Sequence, residues 1–380
     1  MPADLPIQLV DPRRINLVYT GDIPAMMRRR GEQLEGDWDL DSRRTFLELE
    51  PYRGLKQRFI EGRAWEDTEY YAFGQYRVRR DIERGKVEEG DAETELASRL
   101  EELEALYKSI SEDGYLDQPK LNESGLSKQI SDEIRVGIRR DGRYLFVDGR
   151  HRLAIARLLG IEKVPVLIVA RHPEWDEFRA TLPEKRINGR VYQQIDHPDL
   201  NDLPAQHSND RLPLVLKAFE GYEPHGKRLV EIGAYWGYWS QQLSRLGFQC
   251  AAVEAMGKHA RIAEKLRVAT ETRFEIWRGD IFDFPGIESY DVVFALNIFH
   301  HLIKTEERYE RLLALLARID PEIMIFQAHN PGGAQMKGSY RNYRPQEFAE
   351  FVAENSNLPN IEPLGQANDR RPLFKLTADR

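Results

Sequence analysis

Apolar residues recur along this chain in two different ways, and the change between them divides it. Between Asp91 and Ser111, Leu96, Leu100, Leu103, Leu106 and Ile110 fall at steps of three and four, with acids and Lys108 between them. That spacing predicts an amphipathic helix, and Gly114 stands where its stop is expected. Pro119 then biases the preceding residue towards extended structure. Ile134–Arg139 and Tyr144–Val147 read as short strands joined by Asp141-Gly142, a hairpin signal. Leu153 to Leu159 predicts a helix ended by Gly160, and Val164–Val169 a buried strand. Residues 171–226 are rich in Pro, His, Asn and Asp and predict one helix, near Leu212–Phe219.

From Lys227 apolar runs alternate with amphipathic ones: RLVEIG, YWSQQLSRLG, CAAVEA, ARIAEKLRVA, RFEIWRGD, YDVVFALN, RYERLLALLARI, EIMIFQA. This predicts a parallel sheet with helices on both faces. The expected architecture is α/β with two domains. An α+β domain occupies residues 1–172, a linker 173–209, and a Rossmann-like, doubly wound domain 210–380.

Composition narrows the partners. No apolar run approaches the roughly 20 residues a membrane helix needs. The opening MPADLPIQLVDPRR lacks the basic-then-apolar order of a secretory signal. Cys250 is the only cysteine, which excludes an internal disulfide and fits a reducing cytoplasm. The formal net charge is −8, and residues 1–170 hold 28 basic against 33 acidic residues, a balance of −5. Duplex binding calls for a basic footprint, so nucleic acid is not an expected partner, although a local basic pocket stays open.

The second half carries the clearer chemistry. In LVEIGAYWGYWSQQL (Leu229–Leu243), Glu231, Gly233, Ala234, Tyr235 and Gly237 close the first strand, and the glycines let backbone approach a ligand. Glu254-Ala255 ends the second strand, where a carboxylate can accept from a ribose diol. Asp280-Ile281 follows the third strand. Asn297, His300 and His301 follow the fourth. Ligands of open α/β sheets bind at these strand ends. The order resembles the class I S-adenosylmethionine-dependent methyltransferases over roughly residues 210–380. The resemblance implies S-adenosyl-L-methionine as cofactor, Glu254 at the ribose, Asp280 at the adenine side, and Asn297 beside the methyl group. Tyr235, Trp236, Tyr238 and Trp239 depart from the smaller residues common in that loop. His300 or His301 could act as general base, since imidazole titrates near neutrality; packing against the sheet is the competing role. No H-x-E or C-x-x-C spacing marks a metal site. In AHNPGGAQMKGSYRNYRPQEF (Ala328–Phe348), Arg341 and Arg344 are candidates for an anionic part of the substrate, within a lid.

The first half holds FVDGRHRLAIARL, a strand, a turn at Asp148-Gly149-Arg150-His151-Arg152, and a helix. A helix start attracts phosphate; Arg150 and Arg152 could add bidentate contacts and His151 a further donor. The helix running into SISEDGYLDQPKL (Ser109–Leu121), followed by the DGRHR turn, resembles the ParB/sulfiredoxin-like fold over about residues 95–170. The resemblance implies a nucleotide, ATP or CTP with magnesium. The cysteine that sulfiredoxin chemistry needs is replaced by Arg150. Glu32, Asp37, Asp39 and Asp41 are magnesium candidates by composition only. A salt-bridged structural cap is the alternative role for the turn.

The leading expectation is a methyltransferase acting on a small molecule or glycan precursor. The alternatives are a bifunctional small-molecule kinase and methyltransferase, and a non-catalytic DNA-associated regulator.

Overall fold

A computed structural model of the chain describes residues 7–40, 44–115, 133–182, 189–207 and 209–379. The fold divides into two units, Met1–Ala180 and Thr181–Arg380.

In the first unit, strands β1 (Ile7–Val10), β2 (Leu17–Val18), β3 (Glu32–Gln33), β4 (Ile134–Ile138), β5 (Tyr144–Asp148) and β6 (Val164–Arg171) form one six-stranded sheet. Its order is β1-β6-β4-β5-β2, with β3 also pairing β6. The β4–β5 hairpin is antiparallel and turns through Gly142 at φ 87°, while β4 and β6 run parallel. The helices are α1 (Ile23–Met27), α2 (Glu50–Phe59), α3 (Glu69–Glu83), α4 (Ala92–Asp113), α5 (Arg150–Leu158) and α6 (Pro173–Thr181). The predicted stripe lies on α4, and Leu96, Leu100, Leu103, Leu106 and Ile110 are all buried. Gly114 caps α4 at φ 78°. Pro119 and the rest of residues 116–132 lie outside the described residues.

Gly149 joins β5 to α5 at φ 89°, and a Cβ there would stand 2.8 Å from the Ile134 Cα. Both the positive φ and the close backbone demand glycine. The acidic cluster has a structural occupation. Asp39 is fully buried and accepts from Arg140 Nε (3.1 and 3.0 Å to its two oxygens) and Nη2 (2.8 Å). Burial pushes its carboxyl up, but the Arg140 bonds prevail and hold it below the usual range. Asp37 accepts from the same guanidinium at 2.7 Å. Glu32 lies in β3, 3.9 Å from Arg29, and Asp41 falls outside the described residues. Asp37 and Asp39 are committed to Arg140, and no metal-binding group of acids forms among the described residues.

In the second unit, residues expected to form a linker instead make a two-stranded parallel sheet of β7 (Val191–Gln193) and β8 (Ala205–His207). Strands of three residues are too short to show a period. The main sheet has seven strands: β9 (Arg228–Ile232), β10 (Gln249–Glu254), β11 (Glu275–Arg278), β12 (Val292–Leu296), β13 (Ile323–Gln327), β14 (Asn360–Gln366) and β15 (Pro372–Thr377). Their order is β11-β10-β9-β12-β13-β15-β14. The first five are parallel, as the alternation predicts, and β14–β15 is an antiparallel hairpin added at the edge. The helices are α7 (Leu212–Ala218), α8 (Tyr238–Arg245), α9 (Gly257–Ala269), α10 (Glu306–Arg318) and α11 (Pro345–Glu354). Two apolar clusters share the sheet's buried residues. One packs Val230, Val293 and Met324 with α10 and α11, the other Leu229, Val292 and Ile325 with α7 and α8. Strand order reverses between β9 and β12, so a crevice is expected at their carboxyl ends.

Candidate functional site

The crevice is present. A cavity of about 1130 Å³ opens there, lined by Glu231 in β9 with Gly233 and Tyr235 after it, by Glu254 at the end of β10 with Ala255 after it, and by Asp280 and Ile281 after β11. Asn297, His300 and His301, after β12, line it too. Ala234 is packed in the core, and Gly237 starts α8 at φ 79°; neither lines the cavity.

Backbone strain concentrates on this rim. Tyr235 and Asn297 both take φ 55°, a left-handed value that costs a non-glycine residue on the order of 1 kcal/mol. Gly233 takes φ 75°, and any Cβ there would meet Ile298 at 2.5 Å. Glu254 ties the loops together. Its Oε2 accepts from the Tyr235 amide at 2.7 Å and its Oε1 from the Met256 amide at 2.8 Å. Each oxygen keeps capacity to accept again. Burial nonetheless raises the Glu254 pKa, against the pull of those two amides. Asp280 accepts from the Phe282 amide at 3.3 Å and pairs with Arg308 at 3.0 Å.

Glu231 is 3% exposed, and its Oε2 accepts from Ser240 N at 2.8 Å and Ser240 Oγ at 2.6 Å. Burial pushes its pKa up to about 7, opposed by Ser240 and helped by the Glu254 charge. A carboxyl raised on folding holds its proton more tightly in the folded state. Its contribution is therefore complete below pH 4.5 and lost as pH rises through about 7. Thermal melting of the ligand-free protein should accordingly show the second unit weaker at pH 8 than at pH 5, by roughly 2–4 kcal/mol from this group. Glu231→Gln should flatten that dependence; an unchanged profile would remove Glu231 as its source.

His300 is 4% exposed, and neither ring nitrogen has a hydrogen-bond partner among the described residues. Burial, with His301 and His329 beside it, pushes its pKa down to about 3, far from the neutrality expected of a free imidazole. Its ring lies 4.0 Å from that of the exposed His301, the planes tilted by 37°. Arg341 and Arg344 do not line the cavity. The Arg341 guanidinium lies 4.7 Å from the Tyr340 ring centroid, and Arg344 caps α11 in solvent.

Several lining residues carry no sequence signal, among them Tyr192, Gln193, Arg211 and Arg371. Gln193 Oε1 accepts from the Trp236 and Tyr238 amides at 3.3 and 3.4 Å, holding the glycine-rich loop from β7. Tyr192 packs its ring 5.1 Å from Tyr235. Arg211 and Arg371 also line the wall, both bonded to Asp369.

The first unit has its own cavity, of about 340 Å³, lined by the whole turn Asp148–Arg152 and by Tyr70, Arg77 and Arg99 from α3 and α4. Arg150 has no acidic partner among the described residues; Arg77 has the Asp81 charge nearby, yet burial and Arg150 hold it below its ordinary pKa. His151 accepts from or donates to the Tyr70 hydroxyl at 3.1 Å. Burial and three nearby arginines push its pKa down to about 3, so it is neutral. Arg152 turns inward instead. It is 1% exposed, 3.1 Å from Glu133, and lies over the Tyr115 ring at 4.5 Å.

Comparison with known proteins gives a family match over part of the second unit. Residues 230–319 match the family described as a methyltransferase domain. No curated protein matches the chain. Among solved structures, that of monomeric WbdD is similar at 18% identity and a TM-score of 0.43, over 52% of this chain and 48% of that one. The chain thus spans about half the length of the WbdD structure it matches. The methyltransferase domain of bacterial CtHen1 is similar at 14% identity and a TM-score of 0.36, over 44% of this chain and 98% of that one. The magnesium protoporphyrin IX methyltransferase ChlM from Synechocystis PCC 6803, solved with bound SAM, is similar at 13% identity and a TM-score of 0.35, over 45% of this chain and 78% of that one. Residues 230–319 thus carry a methyltransferase domain. No helix among the described residues is long and apolar enough to cross a membrane.

Proposed function

We propose that the second unit transfers a methyl group from S-adenosylmethionine to a hydroxyl or amine of a small molecule or glycan precursor. The observation that carries this reading is one cavity at the β9–β12 reversal with two buried carboxylates and an unpartnered, neutral imidazole on its lining. The residues fit the donor: Glu254 keeps accepting capacity for a ribose diol, and Gly233 leaves backbone bare beside it. The donor, when bound, supplies an electrophilic methyl carbon. His300 accepts a hydrogen bond from the nucleophile and aims its lone pair, which is positioning more than proton abstraction. Asn297 holds the adjoining polar group.

Label from a methyl-labelled donor, offered to fractionated cell extract, should enter the small-molecule fraction rather than protein or RNA. His300→Asn should lower that transfer roughly 100-fold with donor affinity within about twofold. Label found only in RNA or protein would overturn the substrate class. Equal rates in the variant would remove His300 from the reaction.

The first unit we read as a ParB/sulfiredoxin-like module of about residues 1–172 that binds a nucleotide or phosphate at the DGRHR turn. Arg150, lining the cavity without a carboxylate partner among the described residues, supports that reading, with Arg77 lining it as well. A phosphotransferase role is less supported, since Asp37 and Asp39 are committed to Arg140. ATP and CTP, each with and without magnesium, should bind in calorimetric titration, and Arg77→Ala with Arg150→Ala should abolish the signal. Absence of binding to the unaltered chain would leave the turn a structural element.

A further inference from the structure

Resting on the methyl-transfer reading, we propose that the acceptor is gripped through an oxyanion, a carboxylate or a phosphate, by Arg371 and Asn297. The argument begins with orientation. A guanidinium only donates, so the Asn297 atom that meets Arg371 Nη1 at 2.6 Å is Oδ1. By the same rule the Gln327 atom that meets Arg211 Nε at 2.9 Å is Oε1. Asn297 Nδ2 then donates to that Gln327 oxygen at 2.9 Å, and Gln327 Nε2 donates to the Arg371 carbonyl at 3.1 Å. Two arginines thereby fix two amides that could otherwise flip. The Asn297 backbone is fixed as well, by its amide on Gln327 O at 3.0 Å and its φ of 55°.

What Arg371 and Asn297 Nδ2 keep on offer is donor. Arg371 commits Nε and Nη2 to Asp369 and one Nη1 hydrogen to Asn297, which leaves two N–H groups on a guanidinium that lines the cavity. Asn297 retains one Nδ2 hydrogen, made a stronger donor by the positive charge on its Oδ1. Asp369 Oδ2 accepts from both arginines and Oδ1 from the Arg371 amide, so its charge is turned towards them. Burial pushes Asp369 up, but those guanidiniums prevail and keep it ionised. The wall carries two guanidiniums and two carboxylates, since Arg211 also pairs with Asp210 at 3.5 Å, and Arg371 is the guanidinium with N–H groups left over. The two uncommitted N–H groups of Arg371 and the one on Asn297 converge as donors for an oxygen anion, and a guanidinium suits carboxylate and phosphate alike. The anion-binding role expected of Arg341 and Arg344 thus passes to Arg371, thirty residues further on.

The test uses the full chain saturated with S-adenosylhomocysteine, which fills the donor site and has no methyl group to transfer. Inorganic phosphate and acetate are titrated separately at ionic strength fixed with chloride, and binding is read from 31P and 13C line widths. At least one should bind, which distinguishes a phosphate-bearing from a carboxylate-bearing acceptor. Arg371→Gln should weaken it roughly tenfold to hundredfold. Arg371→Lys keeps the charge towards Asp369 and so the fold, and should still weaken it, because a lysine lacks the fork. S-adenosylhomocysteine affinity should stay within about twofold in both variants. Wild-type protein that binds S-adenosylhomocysteine but neither anion overturns this inference alone, as does unchanged anion affinity in Arg371→Lys. Wild-type protein that does not bind S-adenosylhomocysteine overturns the methyl-transfer reading and this inference with it.

Discussion

Replacing Glu254 with alanine should weaken donor binding by roughly 100- to 10,000-fold while the second unit stays folded. The size follows from the bonds at stake. Hydrogen bonds to a charged group contribute about 1.5–3 kcal/mol each, and a ribose diol makes two with a carboxylate. The same side chain also holds the Tyr235 amide on one loop and the Met256 amide on the next, so its loss loosens both walls around the ribose. The fold itself should tolerate the change, because burial already works against this carboxylate's charge. Glu254→Gln is not the mild control it looks. A carboxamide has one accepting oxygen, so its NH₂ would have to face either the Tyr235 or the Met256 amide, donor against donor. It should therefore fall near the alanine variant rather than near wild type. Calorimetric titration with S-adenosylmethionine, with thermal melting alongside, reads both quantities. Affinity unchanged in Glu254→Ala would displace the donor from the β9–β12 crevice.

Much of this site is legible in the sequence because parallel strands repeat a rule: polar residues that end an apolar run meet at one edge. Glu231, Glu254, Asp280 and Asn297 are scattered over nearly seventy residues, and all four line one cavity. The α4 stripe and the β4–β5 hairpin are legible for the same kind of reason, since period and turn chemistry are local. What escapes is set by contacts between distant segments. Gln193 comes from a three-residue strand, and its oxygen matters only because two amides of the loop after β9 point at it. Arg371 comes from an edge hairpin beyond the strand–helix alternation, and its partner Asn297 lies 74 residues away. The His300 pKa follows from burial, which the letters around it do not state. Local spacing also fails to say which of two arginines in one turn faces inward.

That last ambiguity makes the strongest stability prediction. Arg152→Ala should destabilise the first unit by roughly 3–5 kcal/mol, a fall in melting temperature on the order of 10 °C, with donor binding by the second unit retained below the transition. Arg152 is 1% exposed and Glu133 nearly as buried, so removing the guanidinium takes the paired cation away from a buried carboxylate. It also takes a cation from the face of Tyr115. Arg150, two positions earlier at the first turn of the same helix, has no acidic partner among the described residues, and Arg150→Ala should move stability by less than about 0.5 kcal/mol. The pair of variants separates two jobs that sequence places in one motif: Arg152 holds the turn, and Arg150 is left for a ligand. The double replacement Arg152→Met with Glu133→Leu sharpens the test. Filling a buried ion pair with apolar side chains of similar volume is often neutral or better, so it should recover most of the loss. A double variant as unstable as Arg152→Ala would mean that the guanidinium acts through something other than Glu133. An Arg152→Ala protein that melts with wild type would mean that the pair holds nothing, and that Arg152 returns to the ligand-binding side of the turn.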